Sequence, residues 1–398
     1  MNRERIYADH AATTTVREEV ARDMLAVMTD DGYNPSSLHA EGRRSRARLD
    51  DARERVARVL GASPREIVFT GGGSESDNLA IRGATLAAAR ARGIARPHVV
   101  TVATEHHAVL HAVEALAEDG VDATILPPGA EGLVDLAAFE AALEPGRTVL
   151  ASVMLANNET GTVQPVAALA AAARRCGVLF HCDAVQAPGR LPIDVRRLGA
   201  DLVAISAHKF YGPKGAGALY VRADVALAPQ IHGGGQEAGR RAGTENTAGI
   251  AGLAHALELA EAERPAEAVR LAALRDGFEA AVLALVDDVR VTGAGAERLP
   301  NLSSLALRGA EAGLVLARLD LGGAAVSAGS ACAAGAIAPS HVLEALGLPP
   351  WALRSTIRFS FGRSNGEQEV ADLARMLANI VMSLREAAPL SGHTPERF

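Results

Sequence analysis

The feature that most constrains the fold is an alternation of short, β-branched apolar runs with longer helical patterns over the first 250 residues or so. A run such as 98–102 is followed by a helical stretch at 105–119, and a run at 148–154 by a helix at 166–176. This alternation predicts an α/β fold, in which a mainly parallel sheet is covered by helices on both faces. The other predicted elements of this part are strands at 66–70, 178–181, 201–206 and 217–221 and a helix at 76–92.

The pattern changes after about residue 250. Two helical stretches, 251–263 and 266–285, lead into a second group of elements, with strands near 289–292, 301–307 and 355–361 and helices at 311–319 and 368–387. We therefore expect a large domain formed by residues 14–255 and a smaller α+β domain formed by residues 1–13 and 256–398.

Composition excludes several classes of protein. The 398 residues carry a net charge of −7, which argues against a general nucleic-acid binder, and the Arg-rich stretch 43–58 also contains acidic residues typical of a solvated helix face. No apolar run reaches the roughly 18 residues that a membrane span needs, and the first residues lack the apolar core of a signal peptide. Three cysteines in so long a chain do not form a disulfide framework. Together these features predict a cytoplasmic protein.

Two residues at predicted strand ends suggest cofactor chemistry. Lys209 follows the strand at 201–206, and ligands of doubly wound sheets bind at the carboxyl ends of strands, where a lysine can form an imine with an aldehyde cofactor. Asp183 follows the strand at 178–181, where a carboxylate can pair with the pyridinium nitrogen of pyridoxal phosphate (PLP) and Gln186 can donate to the ring hydroxyl. A surface lysine and a helix-capping aspartate are the alternatives.

A glycine-rich turn and a histidine cluster lie at two further strand ends. In the segment 70–76 (TGGGSES), Gly73 lets the backbone approach a phosphate and Ser74 adds a hydroxyl, although a plain loop with a helix cap has the same composition. His106 can stack on a flat cofactor and move protons near neutral pH, and a solvated histidine remains an alternative. With His107 and His111 it also suggests a metal site, but no carboxylate or cysteine completes a ligand set, so no metal is predicted.

The three cysteines differ in their surroundings. Cys332 lies in a segment of small residues, at about 326–340, that could bring a nucleophile to a substrate and away again. A buried small apolar side chain is the alternative interpretation of Cys332. Cys176 ends an Ala-rich helix and Cys182 lies in a predicted strand, so both are predicted to be packed thiols.

The order and spacing of these motifs resemble those of the cysteine desulfurases of the NifS/IscS type, which are fold-type I PLP enzymes of the class V aminotransferase family. The resemblance covers nearly the whole chain and is carried by segments 7–14 (YADHAATT), 34–37 (NPSS), 69–80 (FTGGGSESDNLA), 104–106 (TEH), 157–161 (NNETG), 181–186 (HCDAVQ), 206–217 (SAHKFYGPKGAG), 233–237 (GGGQE), 241–244 (RAGT), 327–332 (SAGSAC) and 357–363 (IRFSFGR). It implies a large domain with a mainly parallel seven-stranded sheet between helices, and a smaller α+β domain that carries the cysteine segment.

The resemblance also implies a role for each candidate site residue. Lys209 would bond to PLP, Asp183 would pair with the pyridine nitrogen, and His106 would stack on the ring. Gln186 and Asn158 would lie beside the ring hydroxyl. The phosphate would be held by Gly73, Ser74, Ser206 and His208, together with Thr244 of the neighbouring subunit in a homodimer. Arg358, assisted by Asn158, would bind the substrate carboxylate, and Cys332 would be the nucleophile that becomes a persulfide.

The implied reaction converts L-cysteine to L-alanine and passes the sulfur through Cys332 to an acceptor protein, such as an iron–sulfur scaffold, or into another thio-cofactor or tRNA. A selenocysteine lyase shares the fold and cofactor, and a sulfur-relay protein without catalysis is a second alternative. An aminotransferase would have no need of Cys332. The sequence departs from the family at 333–335, where Ala-Ala-Gly replaces hydroxyl residues, and in a short tail after Leu390, which leaves the acceptor open.

Overall fold

The computed structural model describes residues 5–328 and 339–387. The strands are β1 (Ile6–Tyr7), β2 (Ile67–Thr70), β3 (His98–Val102), β4 (Asp122–Leu126), β5 (Thr148–Ser152), β6 (Leu179–Asp183), β7 (Leu202–Ser206), β8 (Gly217–Val221), β9 (Val289–Val291), β10 (Leu302–Leu307), β11 (Ala324–Ala325) and β12 (Thr356–Ser360). The α-helices are α1 (Glu18–Asp30), α2 (Ala40–Leu60), α3 (Gly73–Asn78), α4 (Ala84–Arg92), α5 (His107–Ala115), α6 (Leu136–Ala142), α7 (Val166–Arg175), α8 (Val195–Leu198), α9 (Thr247–Leu285), α10 (Ala312–Leu321), α11 (His341–Ala345), α12 (Pro350–Ser355) and α13 (Glu367–Ala387). A π-helical turn at Leu79–Gly83 joins α3 to α4.

The central sheet has seven strands in the order β2-β8-β7-β6-β5-β3-β4. Only β8 runs against its neighbours, and the other pairings, from β7 to β4, are parallel. The predicted α/β class with a mainly parallel seven-stranded sheet is therefore confirmed. Strands β3 and β5 to β8 are buried or nearly so along their length, as expected of strands covered by helices on both faces.

Because β2, β3, β5, β6 and β7 all run in the same direction, their carboxyl ends meet at one edge of the sheet. The residues that follow these ends begin the turns and helices from which the site is built. This placement follows the general rule for open α/β sheets, in which ligands bind outside the carboxyl ends of the strands.

A second group of elements forms its own buried cluster, which includes Phe278, Phe359, Phe361 and Leu377. It contains the antiparallel sheet β12-β10-β9, the two-stranded parallel pair β1-β11 and the helices α10 and α13. The helices predicted at 251–263 and 266–285 are a single helix, α9, with Pro265 inside it. Because α9 crosses the predicted boundary at residues 255 and 256, that boundary stays a prediction.

Within the described part of the chain, no helix combines the length and the apolar character that a membrane crossing requires.

Candidate active site

A cavity of about 420 Å³ opens at the carboxyl edge of the central sheet. Its lining brings together most of the residues that the sequence singled out. The predicted residues in the lining are Gly73, Ser74, His106, Asn158, Asp183, Gln186, Ser206, His208, Lys209 and Arg358. Thr244 is not part of this lining, and Cys332 lies outside the described residues.

Lys209 follows β7 on a short 3₁₀ turn, and its amino group is held by the backbone. The Nζ atom donates to the carbonyl oxygens of Ala11, at 2.7 Å, and Ala12, at 2.8 Å. Burial lowers the pKa of Lys209 to about 8, and the guanidinium groups of Arg358 and Arg190 act in the same direction. Near neutral pH, part of the amine is therefore unprotonated and able to attack an aldehyde.

Asp183 is the last residue of β6, and its side chain is almost fully buried. Its Oδ1 accepts a hydrogen bond from the backbone N–H of Val185 at 2.8 Å. The residues that follow form turns, so the helix-cap interpretation of Asp183 is wrong. Burial raises the pKa of Asp183 to about 6. A cation placed against this carboxylate, such as a protonated pyridine nitrogen, would stabilise its charged form.

Two further carboxyl groups are buried beside Asp183. Asp77 of α3 lines the cavity, and its Oδ1 lies 3.5 Å from Nε2 of His181. Burial and the nearby Asp183 hold the pKa values of Asp77 and Glu105 well above the usual range. Burial lowers the pKa of His181 to about 3. Burial therefore favours the neutral form of all three carboxyls, and at Asp183 the positive charge of Lys209 acts against it.

His106 caps the N-terminus of α5 and faces the cavity. Its Nδ1 accepts a hydrogen bond from the backbone N–H of Ala108 at 3.1 Å, which places the ring proton on Nε2. Burial lowers the pKa of His106 to about 4, helped by the charge of Lys209. The imidazole is therefore neutral near pH 7.

The neighbouring histidines contact each other ring to ring. The ring centre of His107 lies 4.2 Å from that of His341 and 4.9 Å from that of His111. Among the residues that the structure describes, no group of three or more His, Cys, Asp or Glu side chains is arranged to hold a metal ion.

The phosphate-binding candidates converge at the N-terminus of α3. Gly73 is the first residue of this helix, and a Cβ added there would lie 2.9 Å from Cγ2 of Val185, so the position accepts only glycine without movement of its neighbour. Ser206 and His208 approach from the end of β7, where Nδ1 of His208 lies 3.1 Å from Oγ1 of Thr13. The N–H groups of a helix start beside hydroxyl groups form an anion site.

Arg358 of β12 reaches the opposite wall of the cavity and is only 4% exposed. Its Nη1 donates to the carbonyl oxygen of Asn158 at 2.9 Å, and its Nη2 to Oδ1 of Asp9 at 2.7 Å. Its Nε is buried with no hydrogen-bond partner among the described residues. The guanidinium therefore keeps donors for a carboxylate ligand.

Cys332 lies outside the described residues, and its role as nucleophile stays a prediction. Ser327, just before that segment, lines the cavity and pairs through its backbone with Arg358. Cys182 is buried as predicted. The prediction of a packed Cys176 is wrong, because this residue is the C-cap of α7 and faces solvent. Thr244 lies in a neighbouring pocket with Gly71 and Arg241, and its role in the adjacent subunit's site also stays a prediction.

The residues of the cavity fit PLP. They offer an amine of lowered pKa, a buried carboxyl group that could pair with a pyridinium nitrogen, and an anion site at a helix start. Gln186 donates through Nε2 to the carbonyl of Ala11 at 3.0 Å, and its Oε1 is a buried acceptor with no partner in the described part of the chain. Such an acceptor suits the hydroxyl of a bound ring.

Sequence reasoning missed two acidic residues and the backbone that supports Lys209. Asp77 has no local signature, because its segment was interpreted through its glycines. Asp9 and the carbonyls of Ala11 and Ala12 lie near the other end of the chain, and Asp9 is 349 residues from its partner Arg358. The segment 7–14 was part of the family resemblance, which was the only signal that could have identified them.

The chain is similar to known proteins over most of its length. The sequence profile of the aminotransferase class-V family matches residues 6–373. The chain is 43% identical over 389 residues to a cysteine desulfurase IscS of Dictyoglomus turgidum, covering 98% of this chain and 97% of that protein. A solved structure of a NifS-like protein has a TM-score of 0.88 and 33% identity, covering 95% of this chain and 100% of its own. A structure of SspA in complex with cysteine has a TM-score of 0.79 and 37% identity, with 89% and 98% covered.

Members of this family depend on PLP, and the residues of the cavity suit that cofactor. Both the family profile and the Dictyoglomus turgidum protein match nearly the whole chain. The chain therefore belongs to the aminotransferase class-V family and, within it, to the PLP-dependent cysteine desulfurases.

Proposed function

We propose that this cysteine desulfurase uses Lys209 to hold PLP, Arg358 to hold the carboxylate of L-cysteine, and Cys332 to take the sulfur as a persulfide. The observation that carries the proposal is the position of the Lys209 amine, which lies in one cavity with Asp183, His106 and Arg358. The relative SspA has been solved in complex with cysteine, which supports the same substrate here.

When bound, PLP supplies an electron sink for the electrons released at the substrate's Cα. Asp183, ionised beside the pyridine nitrogen, would keep that nitrogen protonated. Lys209, with its lowered pKa, would take the proton from the Cα of the substrate. Gly73, Ser74, Ser206 and His208 would hold the phosphate, and Gln186 and Asn158 would lie beside the ring hydroxyl.

Sulfur transfer requires a thiolate, because the thiol is a poor nucleophile. The Cys332 thiolate would attack the sulfur of the substrate, leaving L-alanine and a persulfide on Cys332. His106 lines the same cavity with its imidazole neutral near pH 7, and it would handle the thiol proton during this step. The persulfide would then pass to a thiol or an acceptor protein.

Two variants separate cofactor binding from sulfur transfer. Lys209→Ala should lose the visible absorption of the bound cofactor together with turnover. Cys332→Ala should keep that absorption, respond spectrally to L-cysteine and release little sulfide, with Cys176→Ala as the matched control for loss of an exposed thiol. Full desulfuration by Cys332→Ala would refute the assignment of the nucleophile.

We also propose a homodimer in which Thr244 completes the phosphate site of the partner. An apolar patch, formed by Leu25, Met28, Tyr33 and Leu38, is exposed on α1 and the loop after it. Met28 and Tyr33 line a pocket with Thr244, so that pairing through this patch would take Thr244 to an interface.

Charge in this patch should disrupt the dimer. Met28→Asp should sediment as a monomer and bind PLP more weakly than the wild type. Leu321→Asp changes a side chain that is also highly exposed, at the end of α10, and should leave mass and PLP affinity unchanged. A Met28→Asp protein that remains dimeric would show that the interface lies elsewhere.

The sulfur acceptor is proposed to be a cytoplasmic partner such as an iron–sulfur scaffold. Trapping the persulfide on Cys332 and identifying the proteins that it modifies tests this directly. Sulfur found only on small thiols would contradict a dedicated protein acceptor.

A further inference from the structure

The ion pair between Asp9 and Arg358 has no role in the proposed chemistry so far. Arg358 is the residue that the proposed function assigns to the substrate carboxylate, and the inference drawn here rests on that function. The Nη2 to Oδ1 distance is 2.7 Å, and the two side chains are 5% and 21% exposed. A pair this well buried and this close fixes the orientation of the guanidinium far better than a surface pair would.

Asp9 is itself held in place by the backbone around it. The backbone of Asp9 forms a β-bridge with Ser360, which lies two residues beyond Arg358 on β12. The backbone carbonyl of Asp9 accepts a hydrogen bond from the hydroxyl of Tyr7 at 3.1 Å. The carboxylate therefore stands beside the strand that carries the arginine. These contacts fix the backbone of Asp9 beside β12, so its carboxylate can leave Arg358 only by rotation of the side chain.

The guanidinium has five N–H donors, and the described residues take two of them, one at Asn158 and one at Asp9. Nη1 and Nη2 each keep one further N–H for a ligand, whereas Nε is buried and has no partner among the described residues. Arg358 lines the cavity while Asp9 does not, so the aspartate contacts the arginine from outside the space that a substrate would fill.

We propose that Asp9 is a positioning residue for substrate recognition, which fixes the Arg358 guanidinium so that its free donors meet the carboxylate of L-cysteine. The ion pair between Asp9 and Arg358 persists when the substrate binds. The opposite arrangement, in which Asp9 competes with the substrate for the arginine, requires the carboxylate to leave its present position.

The two arrangements predict opposite results for the Asp9→Ala holoenzyme. A positioning role predicts that the dissociation constant of L-alanine, followed by the change in cofactor absorption, and the KM for L-cysteine both rise about tenfold, with a much smaller change in kcat. Asp9→Asn, which keeps an acceptor oxygen without the charge, should lie between Asp9→Ala and the wild type. Asp320→Ala removes an exposed aspartate that pairs with Arg5 and should change neither constant.

Two results would overturn the proposal. If Asp9→Ala binds L-alanine as tightly as the wild type, Asp9 does not position the arginine, and if it binds more tightly, Asp9 competes with the substrate. Arg358→Ala separates this failure from that of the proposed function, since unchanged constants in that variant would show that Arg358 is not the carboxylate site. PLP content and thermal melting of each variant identify a folding defect. If Asp9→Ala has such a defect, the dissociation constant of L-alanine for Asp9→Asn, compared with that of the wild type, decides instead.

Discussion

The amino group of Lys209 lies between two backbone carbonyls and close to two arginines, and its acidity follows from that position. Because its pKa is about 8 rather than the ordinary 10.5, we expect the rate of PLP uptake by the apoenzyme to rise with pH and to level off near pH 8. Stopped-flow absorbance over a pH series measures this rate. A rate that keeps rising toward pH 10.5 would contradict the buried setting of the amine.

Burial of Asp183 makes the stability of the apoprotein depend on pH. Between the ordinary value of 3.8 and about 6, folded Asp183 binds a proton that the unfolded chain has released, so its contribution to the free energy of unfolding falls as pH rises. The Asp183→Asn variant has no carboxyl group at this position, so its free energy of unfolding lacks this decrease with pH. Its stability relative to the wild type should therefore increase across the window by roughly 1 to 3 kcal/mol and stay constant above it.

Urea unfolding of both apoproteins at several pH values tests the prediction for Asp183. Asp51→Asn, which changes an exposed carboxyl on α2, serves as the control and should show a nearly constant difference from the wild type. A difference between Asp183→Asn and the wild type that does not vary between pH 4 and pH 6 would contradict the raised pKa.

Residues at strand ends could be predicted because their chemistry and their position are both visible locally. Lys209, Asp183 and His106 each follow an apolar run, and the ends of parallel strands converge. Asp9 and Asp77 could not be assigned a role in this way. An aspartate acquires its function from the group beside it, and only the folded chain places Asp9 against Arg358.

At the scale of elements, strand β8 packs closely against the glycine-rich turn that precedes α3, and this contact can be tested. A Cβ at Gly217 would lie 2.7 Å from the backbone of Gly72. Gly217→Ala must therefore push the strand and the turn apart, which should destabilise the protein by about 1 to 3 kcal/mol and weaken PLP binding. Thermal melting and PLP titration measure the two effects.

Gly277 is the matched control for this substitution. It lies on α9 with no atom within 4 Å of an added Cβ. Gly277→Ala should stabilise the protein by about 0.5 to 1 kcal/mol and leave PLP binding unchanged. Equal PLP affinity for Gly217→Ala and Gly277→Ala would show that the turn tolerates the extra methyl group.

Two elements show where local patterns fail. Two helices were predicted at 251–263 and 266–285, but α9 continues through Pro265 between them, because helix packing on both sides can outweigh one missing backbone N–H. The edge strand β4 was not predicted. Its residues Asp122, Ala123 and Thr124 are partly exposed and carry little of the apolar signal that marks the inner strands.

At the scale of the whole molecule, the N-terminal segment connects the second group of elements to the central sheet. Its strand β1 pairs with β11, and a few residues later Thr14 bonds to the turn that carries Lys209. The Thr14 hydroxyl donates to the carbonyl of His208 at 2.9 Å and accepts from the N–H of Tyr211 at 2.7 Å. The position of the cofactor lysine therefore depends on residues far from it in sequence.

Thr14→Val should leave the N–H of Tyr211 without its partner. We expect a loss of about 1 to 3 kcal/mol in the free energy of unfolding and weaker PLP binding, since the Lys209 turn loses both hydroxyl bonds to Thr14 and keeps only the backbone bond from Thr14 to His208 at this point. Thr29→Val is the control, because the Thr29 hydroxyl bonds within its own helix and near its end. Equal PLP affinities for the two variants would contradict the link.

Helix α9 contributes to two buried clusters. Leu253 and Leu257 lie in the cluster beside the central sheet, and Leu274 and Phe278 lie in the cluster of the second group of elements. Its 39 residues extend over about 58 Å. Because one continuous helix packs in both clusters, it resists rotation of one cluster relative to the other. If the cavity that Lys209 and Arg358 line widens, we expect α9 to bend at Pro265, where the ladder of backbone hydrogen bonds lacks a donor.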